Sequence, residues 1–457
     1  MQNLWKADVF MLFSRRDLFK IILPLFAEQL LAVTVGMCDS MMVSSAGEAA
    51  VSGVSLVDSI NLFLIYVFSA FGAGGAVVCS QFMGKKDYVA ARTSAKQLVY
   101  SVLAVSILIM TVALVFRTTL LKLIFGSIEA DVMFHAKNYF LFTALSFPFI
   151  ALYNSGAAIF RSMGNSKVSM FASIITNSIN IIGNAIFIFK FRLGAAGAAI
   201  ATLIARAIGA TIMMVLVRNK HNPIYLEKML RVKLDFPIIK RILGIGIPSG
   251  LENGMFQLGK LITQGLISGF GTAAIAANSV ASHLAAFEYS VGNAIGLAMV
   301  TVVGQCIGAG DKVQAKKYAL KLLGIEYAVI IFVSALFSIL AKPLIGIYNL
   351  SAEGSSIAFT LIIIHNIFTS TVWPVSFTLS NSFRAASDVR YPMAISILSM
   401  WIFRVGFSYV FALGLGLGLL GVWLAMFTDW TFRAICFAIR FLRGKWLAKY
   451  KPLETTT

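Results

Sequence analysis

The sequence predicts an all-α polytopic membrane protein with twelve transmembrane helices in two pseudo-symmetric six-helix bundles. Two observations predict this fold class. Hydrophobic residues make up 59% of the chain and charged residues only 12%, a balance that suits a bilayer rather than water. The chain also repeats itself with an offset of 224 residues, since Pro24 and Glu28 recur as Pro248 and Glu252. Such a repeat in an apolar chain indicates two related bundles with a cavity between them.

Apolar stretches long enough to cross a bilayer, which takes about 20 residues each, define the predicted spans. They lie at about 18–43, 52–82, 97–116, 134–160, 167–189, 194–217, 238–268, 273–306, 318–341, 355–383, 393–413 and 418–442. The first six spans form an N-lobe, residues 1–217, and the last six form a C-lobe, residues 238–457, which ends in a basic tail. The basic segment 218–237 between them is predicted to be a cytoplasmic linker.

The distribution of Lys and Arg excludes a nucleic-acid partner despite the net charge of +19. Most of these residues fall in alternate loops, whereas the intervening loops hold few of them: Arg117, Lys122, Lys137, Lys190, Arg192 and Lys342. Because positive charge is enriched in cytoplasmic loops, both termini are predicted to be cytoplasmic. We therefore expect a multi-pass protein of the plasma (inner) membrane.

Sequence patterns of enzymes and metal sites are weak in this chain. The glycine and lysine spacing of Gly254 to Lys260 imitates a phosphate-binding loop, but Leu261 follows where Ser or Thr should hold magnesium. The four His and four Cys are scattered, so neither a metal site nor a disulfide framework is predicted. Asp87 recurs as Asp311 at a loop, which indicates a residue that starts a helix rather than a catalyst. We expect no enzymatic activity and no cofactor.

Ionisable residues inside the N-lobe spans are candidates for function, because a charge at membrane depth costs about 2.5–3.5 kcal/mol on insertion scales. Glu28 and Asp39 lie on one face of the first helix. Asn180 and Asn184, one turn apart, stack amides on one face of the fifth helix, and Thr202 supplies a hydroxyl on the sixth. Amides also bind membrane helices to one another, so a structural role for this stripe stays open.

The seventh helix carries a second polar stripe. Asn253, Gln257, Lys260 and Gln264 share one narrow face, and Glu252 is offset from it. A stripe this polar is predicted to line a water-filled cleft between the lobes, with a dry seam between helices as the alternative.

Further ionisable residues lie deep in the C-lobe and its surroundings. Glu288 is assigned to the substrate cavity together with Glu28, Glu252 and the polar stripe of the seventh helix. Asp429 is predicted to pair with Arg433 one turn away. Arg206 and Arg404 are expected to be paired or to extend towards water. The deep acids outnumber the deep bases: Glu28, Asp39, Glu252, Glu288, Glu326 and Asp429 against Arg206, Lys260 and Arg404.

Several motifs in order along the chain resemble those of the multidrug and toxic compound extrusion (MATE) family. They are Pro24-x-x-x-Glu28, Cys38-Asp39-Ser40-Met41-Met42-Val43, Gln81-x-x-Gly84, Arg161-x-x-Gly164-Asn165-x-Lys167 and Gly418-x-x-Gly421-x-Trp423. The resemblance implies two V-shaped bundles and export of drugs or metabolites, driven by inward flow of protons or sodium. It also implies that Asp39 couples ion flow to transport, with Asn180 and Thr202 matching further residues of that N-lobe site.

Two positions depart from the family pattern. Asn184 stands where members with a fuller N-lobe site have an Asp, and Phe256 stands where several branches have an acid on the seventh helix.

From the resemblance and the residues together, we expect an exporter that works as a monomer by alternating access. H+ is the expected coupling ion, with Na+ as the alternative, and Asp39, Asn180, Asn184 and Thr202 form the coupling site. The expected substrates are small cationic amphipathic molecules. A flippase for lipid-linked sugars is the nearest alternative, although its cavity should be strongly cationic, and a membrane-embedded enzyme is a more distant one.

Overall fold

The structure, a computed structural model, describes residues 12–45, 47–126, 129–229 and 231–450, and among these residues it contains helices and no strand. We number the membrane segments α1 to α12. The N-lobe contains α1 (Arg15–Ser44), α2 (Glu48–Gly84), α3 (Tyr88–Val115), α4 (Ala130–Leu145 and Phe147–Ser162), α5 (Ser166–Asn184, continued by the π-helical Ala185–Lys190) and α6 (Gly194–Val217). The C-lobe contains α7 (Phe236–Ser268), α8 (Thr272–Gly308), α9 (Lys312–Ile339), α10 (Ala352–Thr371, continued by Pro374–Thr378 and Ser380–Ala385), α11 (Arg390–Ser399, continued by Met400–Gly406, Phe407–Tyr409 and Val410–Gly414) and α12 (Gly418–Leu442).

The helix count agrees with the predicted fold class. Within the described residues, ten helices are long and apolar enough to cross a membrane, and α4, whose two halves meet at 44°, adds an eleventh. The twelfth is α7, which is 33 residues long but carries Lys240, Arg241, Glu252 and Lys260. At about 1.5 Å per residue this helix is long enough to span the bilayer, and its polar residues explain its low hydropathy.

The repeated aspartates start equivalent helices in the two lobes. Asp87 accepts a hydrogen bond from the backbone N–H of Ala90 at the start of α3, at 3.0 Å. Asp311 accepts one from Gln314 at the start of α9, at 2.8 Å. The predicted role as helix-start residues is confirmed, because both side chains satisfy an N–H that has no partner within the helix.

Each lobe has its own apolar core, but the first helix of each lobe also reaches into the other. The start of α1, with Leu18, Ile21 and Leu25, packs in the C-lobe core. The start of α7, with Ile238 and Ile242, packs in the N-lobe core. The two lobes are therefore joined by a reciprocal exchange at the end of the molecule where both helices begin.

We call this end the basic end, because Lys85 and Lys86 follow α2 and Lys312 begins α9 there. The last turns of α2 and α8 cross in direct backbone contact. A Cβ atom on Gly84 would overlap the carbonyl oxygen of Gln305. The repeat-related contact joins Gly308 to the carbonyl of Gln81, so only glycine allows this approach.

Side-chain hydrogen bonds tie the lobes together around this crossing. Gln81 Nε2 donates to the carbonyl of Ala385 in the C-lobe at 2.7 Å. Gln305 Nε2 donates to the carbonyl of Ser162 in the N-lobe at 2.8 Å. The repeated Gln-x-x-Gly element therefore forms a two-sided junction that holds the basic ends of the lobes together. We call the residues Gln81, Gly84, Gln305 and Gly308 the basic-end junction.

The segment between the lobes packs against α3 of the N-lobe. Arg92 donates to the carbonyl of Pro223 at 3.0 Å, and Gln97 donates to the carbonyl of Lys233 at 2.8 Å. The following helix begins at Phe236, so the last two residues of the predicted linker are helical.

Candidate ion-coupling site and central cleft

The four residues predicted to form the coupling site lie together in the N-lobe. Asp39 comes from α1, Asn180 and Asn184 from α5, and Thr202 from α6. The helices approach closely here because small residues face each other: a Cβ on Gly183 would lie 3.0 Å from that of Ala201. The π-helical segment begins directly after Asn184, and such segments are frequent at functional sites.

Amide groups of α5 surround the carboxylate of Asp39. Asn184 Nδ2 donates to Asp39 Oδ1 at 2.7 Å. In the amide orientation that satisfies its neighbours, Asn180 places its nitrogen 3.0 and 3.1 Å from the two carboxylate oxygens and accepts from the Thr202 hydroxyl at 3.2 Å. Asn184 Oδ1 is buried without a hydrogen-bond partner. The site thus offers donors to an ionised Asp39 and holds one unused acceptor beside it.

Sequence reasoning missed a second carboxylate, Asp58 of α2, and its surroundings. Tyr139 donates to Asp58 Oδ1 at 2.9 Å. Both Asp58 and Arg206 are close enough to Asp39 to interact with it electrostatically. Arg206 also donates to the hydroxyl of Ser146 at 2.7 Å. The signal was available, because Asp58 is an ionisable residue inside a strongly apolar span.

Glu28 and Glu252, which were assigned to the substrate cavity, are instead buried in related ion pairs. Glu28 lies 3.7 Å from Arg161 and accepts from the hydroxyl of Ser169 at 2.7 Å. Glu252 lies 2.8 Å from Arg384 and accepts from a serine hydroxyl of α11 at 2.8 Å. In each lobe the acid of the first helix is neutralised by an arginine near the end of the fourth, which removes it from the cavity surface.

Glu288 is also enclosed within the C-lobe rather than placed on an open surface. It lies 3.2 Å from the ring nitrogen Nδ1 of His365 and accepts from the hydroxyl of Ser334 at 2.9 Å. Tyr289 approaches the other ring nitrogen at 2.9 Å. The side chain of Glu288 is fully buried, so a direct substrate contact has no geometric support in this conformation.

The remaining deep acids are held by neighbours of their own. The predicted pair of Asp429 and Arg433 is confirmed by two nitrogen to oxygen contacts of 2.9 and 3.2 Å. Glu326 accepts from the hydroxyl of Thr378 at 2.7 Å. Counting acids against bases therefore does not give the charge of the cleft, because most of the acids are already engaged.

The polar stripe of α7 has hydrogen-bond partners in both lobes. Gln257 is hydrogen-bonded to Tyr66 of α2. Leu251 and Leu258 are exposed on another face of the helix, which marks the lipid side. Lys260 lies two residues after Leu258, about 160° around the helix. Lys260 and Gln264 are both exposed, and Gln264 accepts a hydrogen bond from Asn278 of α8 at 3.4 Å.

A thiol at Gln264 is expected to be accessible to water. After replacement of the native cysteines by Ala, Gln264→Cys should react with a charged, membrane-impermeant thiol reagent in at least one direction of an imposed pH gradient. Leu258→Cys is the matched control and should stay unreactive, because it faces lipid. Protection of position 264 in both gradient directions would identify the stripe as a dry seam between helices.

A model of the MatE family matches the chain twice, over residues 24–186 and again over residues 248–410. The two matches begin 224 residues apart, which is the offset of the internal repeat. The chain belongs to the MatE family. The family suggested by the motifs is thereby confirmed, and MatE is a family of multidrug efflux transporters.

Two bacterial relatives match the MatE chain over almost its full length. The uncharacterized transporter YisQ of Bacillus subtilis (strain 168) is 29% identical over 439 residues, covering 95% of each chain. The probable multidrug resistance protein NorM of Thermotoga maritima is 28% identical over 445 residues, covering 94% of this chain and 93% of the relative. These matches support small molecules as substrates and do not support the lipid-linked sugar flippase.

The fold matches solved structures of the same family. The outward-facing conformation of a multidrug resistance MATE family transporter superposes with a TM-score of 0.88, covering 95% of this chain and 96% of that chain at 19% identity. This likeness shows the fold, twelve helices in two bundles. The protein is a multi-pass membrane protein.

Proposed function

We propose that this protein is a proton-coupled antiporter that exports small amphipathic organic molecules by alternating access between its two lobes. The observation that carries the proposal is the Asp39 site, a membrane-embedded carboxylate held by two amides of α5. A carboxylate at this depth destabilises the protein in the membrane, so a retained one is a candidate for function. Its two protonation states also need different hydrogen-bond partners, which gives a proton a means to change helix packing.

Asn184 gives this difference a specific form. The ionised Asp39 accepts from the Asn184 amide nitrogen, as observed. A protonated Asp39 must donate, and the unpartnered Asn184 Oδ1 is an acceptor on the same side chain. Rotation of the Asn184 amide would satisfy the protonated form, so each protonation state favours its own arrangement of α1 against α5.

Alternating access also requires a gate, and we assign this role to the basic-end junction. The Gln81 to Ala385 and Gln305 to Ser162 hydrogen bonds close the basic end in the present conformation. The positive charge of this end supports a cytoplasmic location for it and for both termini. Loading of substrate from the cytoplasm requires the junction to open, and release outside requires it to close.

Proton coupling is favoured over sodium by the direction of the amides. Asn184 turns its nitrogen towards Asp39, Asn180 does so in the amide orientation that satisfies its neighbours, and Arg206 adds positive charge nearby. An ionised carboxylate so surrounded has donors in place, whereas a sodium ion needs several oxygen ligands turned towards it. Asp58 is a second carboxylate in the neighbourhood, so the sodium alternative is tested directly.

The test is transport by purified protein in liposomes with the membrane potential clamped. The probe is the ethyl ester of rhodamine B, a permanent cation. We expect uptake when the lumen is acidic and sodium is equal on both sides, because protons leaving the lumen drive dye inward. A sodium gradient at clamped equal pH should give no accumulation. Saturable accumulation under a sodium gradient alone would identify sodium, not the proton, as the coupling ion. No accumulation under either gradient would contradict coupled transport of this cation.

A further inference from the structure

The C-lobe counterpart of the Asp39 site is cationic. α5 begins at Ser166 and α11 at Arg390, which preserves the repeat offset of 224. Asn180 therefore corresponds to Arg404, and Asp39 corresponds to Thr263. The position that holds the acid in the N-lobe is a neutral hydroxyl in the C-lobe, and the position of a neutral amide is a guanidinium.

Lys260 adds a second positive charge at this place. The packing of α7 on α11 brings the two together: a Cβ on Gly259 would contact the side chain of Met400, one turn before Arg404. Lys260 follows Gly259 directly and is close enough to Arg404 to interact with it electrostatically. Its side chain is exposed.

No carboxylate forms an ion pair with Lys260 or Arg404 among the residues that the structure describes. The acid that interacts electrostatically with Arg404 is Asp429, whose two oxygens are both bonded to Arg433. Arg404 and Arg433 thus share one engaged carboxylate, and Lys260 adds a third cation beside Arg404. Two like charges at membrane depth without a counter-ion are costly, and a bound anion would offset that cost.

The surroundings suit an aromatic ligand. The Arg404 guanidinium lies 5.2 Å from the ring centroid of Phe256, and that of Arg433 lies 4.7 Å from the ring of Phe377. Phe256 and Phe377 meet edge to face with centroids 5.9 Å apart. An apolar aromatic surface beside fixed cations is the complement of an aromatic body that carries an acidic group.

We propose that Lys260 and Arg404 form a site for the carboxylate of an amphipathic aromatic acid, so that organic acids and zwitterions are preferred to the simple cations expected from the sequence. The inference rests on the proposed export function for the statement that this ligand is cargo. The asymmetry of the two lobes gives it a physical basis: Asp39 and Asp58 are electrostatic neighbours in the N-lobe, and Lys260 and Arg404 are electrostatic neighbours in the C-lobe.

The test compares two dyes that differ in one group, rhodamine B with its free carboxylate and its ethyl ester. Binding to the purified full chain in phosphatidylcholine nanodiscs is measured by fluorescence polarisation. We expect wild-type protein to bind the acid more tightly than the ester. Lys260→Gln and Arg404→Gln should each weaken binding of the acid by at least about tenfold and leave the ester nearly unchanged, since a hydrogen bond to a charged group is lost.

Matched controls lie on the same two helices. Lys240→Gln and Arg390→Gln remove exposed cations at the basic ends of α7 and α11, and both should keep the wild-type preference. Lys260→Glu should reverse the preference towards the ester, while ester binding itself reports a folded cleft.

Equal affinity of the wild-type protein for both dyes, or an equal loss of affinity for both dyes in the variants, would contradict the proposed carboxylate site. Failure of the export proposal looks different. If the acid binds through Lys260 but is not accumulated under a pH gradient, the anion site stands and transport fails. If the ester is transported and the variants do not change the acid to ester ratio, transport stands and the anion site fails.

Discussion

Asp39→Asn is expected to reduce gradient-driven dye uptake to the level of protein-free liposomes while the protein stays folded. The amide keeps the size of the side chain but cannot titrate, so the hydrogen-bond exchange with Asn180 and Asn184 no longer depends on protons. Uptake in acid-lumen liposomes and the melting temperature of the purified protein are measured together. The melting temperature should change little, because Asn can still bond to both amides.

Asp131→Asn is the matched control, since Asp131 is an exposed acid of the N-lobe and its replacement should leave uptake at the wild-type level. Wild-type uptake by Asp39→Asn would remove this carboxylate from the mechanism. Asp58→Asn is measured in parallel. An equal loss of uptake in Asp58→Asn would show that the pair of acids, rather than Asp39 alone, is the coupling group.

Gly84→Ala is expected to prevent closure of the basic end and so to abolish net transport. The added Cβ would overlap the carbonyl oxygen of Gln305, and neither helix backbone can give way without opening the junction. The protein should still fold, because the open conformation of the transport cycle relieves the overlap. Gly308→Ala should act alike, because its Cβ meets the carbonyl of Gln81.

The conformational shift is measured by electron paramagnetic resonance between spin labels at Lys86 and Lys312, which flank the junction and are exposed. Wild-type protein should show a short-distance population that Gly84→Ala depletes in favour of longer distances. Gly244→Ala is the control, since a Cβ there meets no atom within 4 Å. An unchanged distance distribution in Gly84→Ala would show that the junction does not gate the basic end.

Much of the fold and of the N-lobe site could be predicted from sequence because both depend on spacing along the chain. Span length follows from the thickness of the bilayer, and Asn180 and Asn184 share a face because they are one helical turn apart. The repeat offset of 224 residues then showed which positions of the two lobes correspond. Glycine at Gly84 and Gly308 was visible as a repeated motif, but the carbonyl that each one faces became evident only in the structure.

The charge of the cleft could not be predicted, because ion pairs between distant segments decide it. Arg161 is far from Glu28 in sequence, and Arg384 is equally far from Glu252, so spacing gave no sign that either acid is neutralised. His365 has the same effect on Glu288. With these acids paired, Lys260 and Arg404 dominate the C-lobe side, which is the reverse of what the count of acids and bases suggested.

Obligatory exchange of a proton for a substrate is tested by reversing the coupling. Liposomes are loaded with the transported dye, diluted into dye-free buffer at equal pH on both sides, and followed with a lumenal pH indicator while the membrane potential is clamped and sodium is absent. We expect dye leaving the lumen to draw protons inward, so that the lumen acidifies, and we expect Asp39→Asn to show neither movement. Dye efflux through the wild-type protein without acidification, or efflux that starts only when sodium is added, would contradict proton exchange.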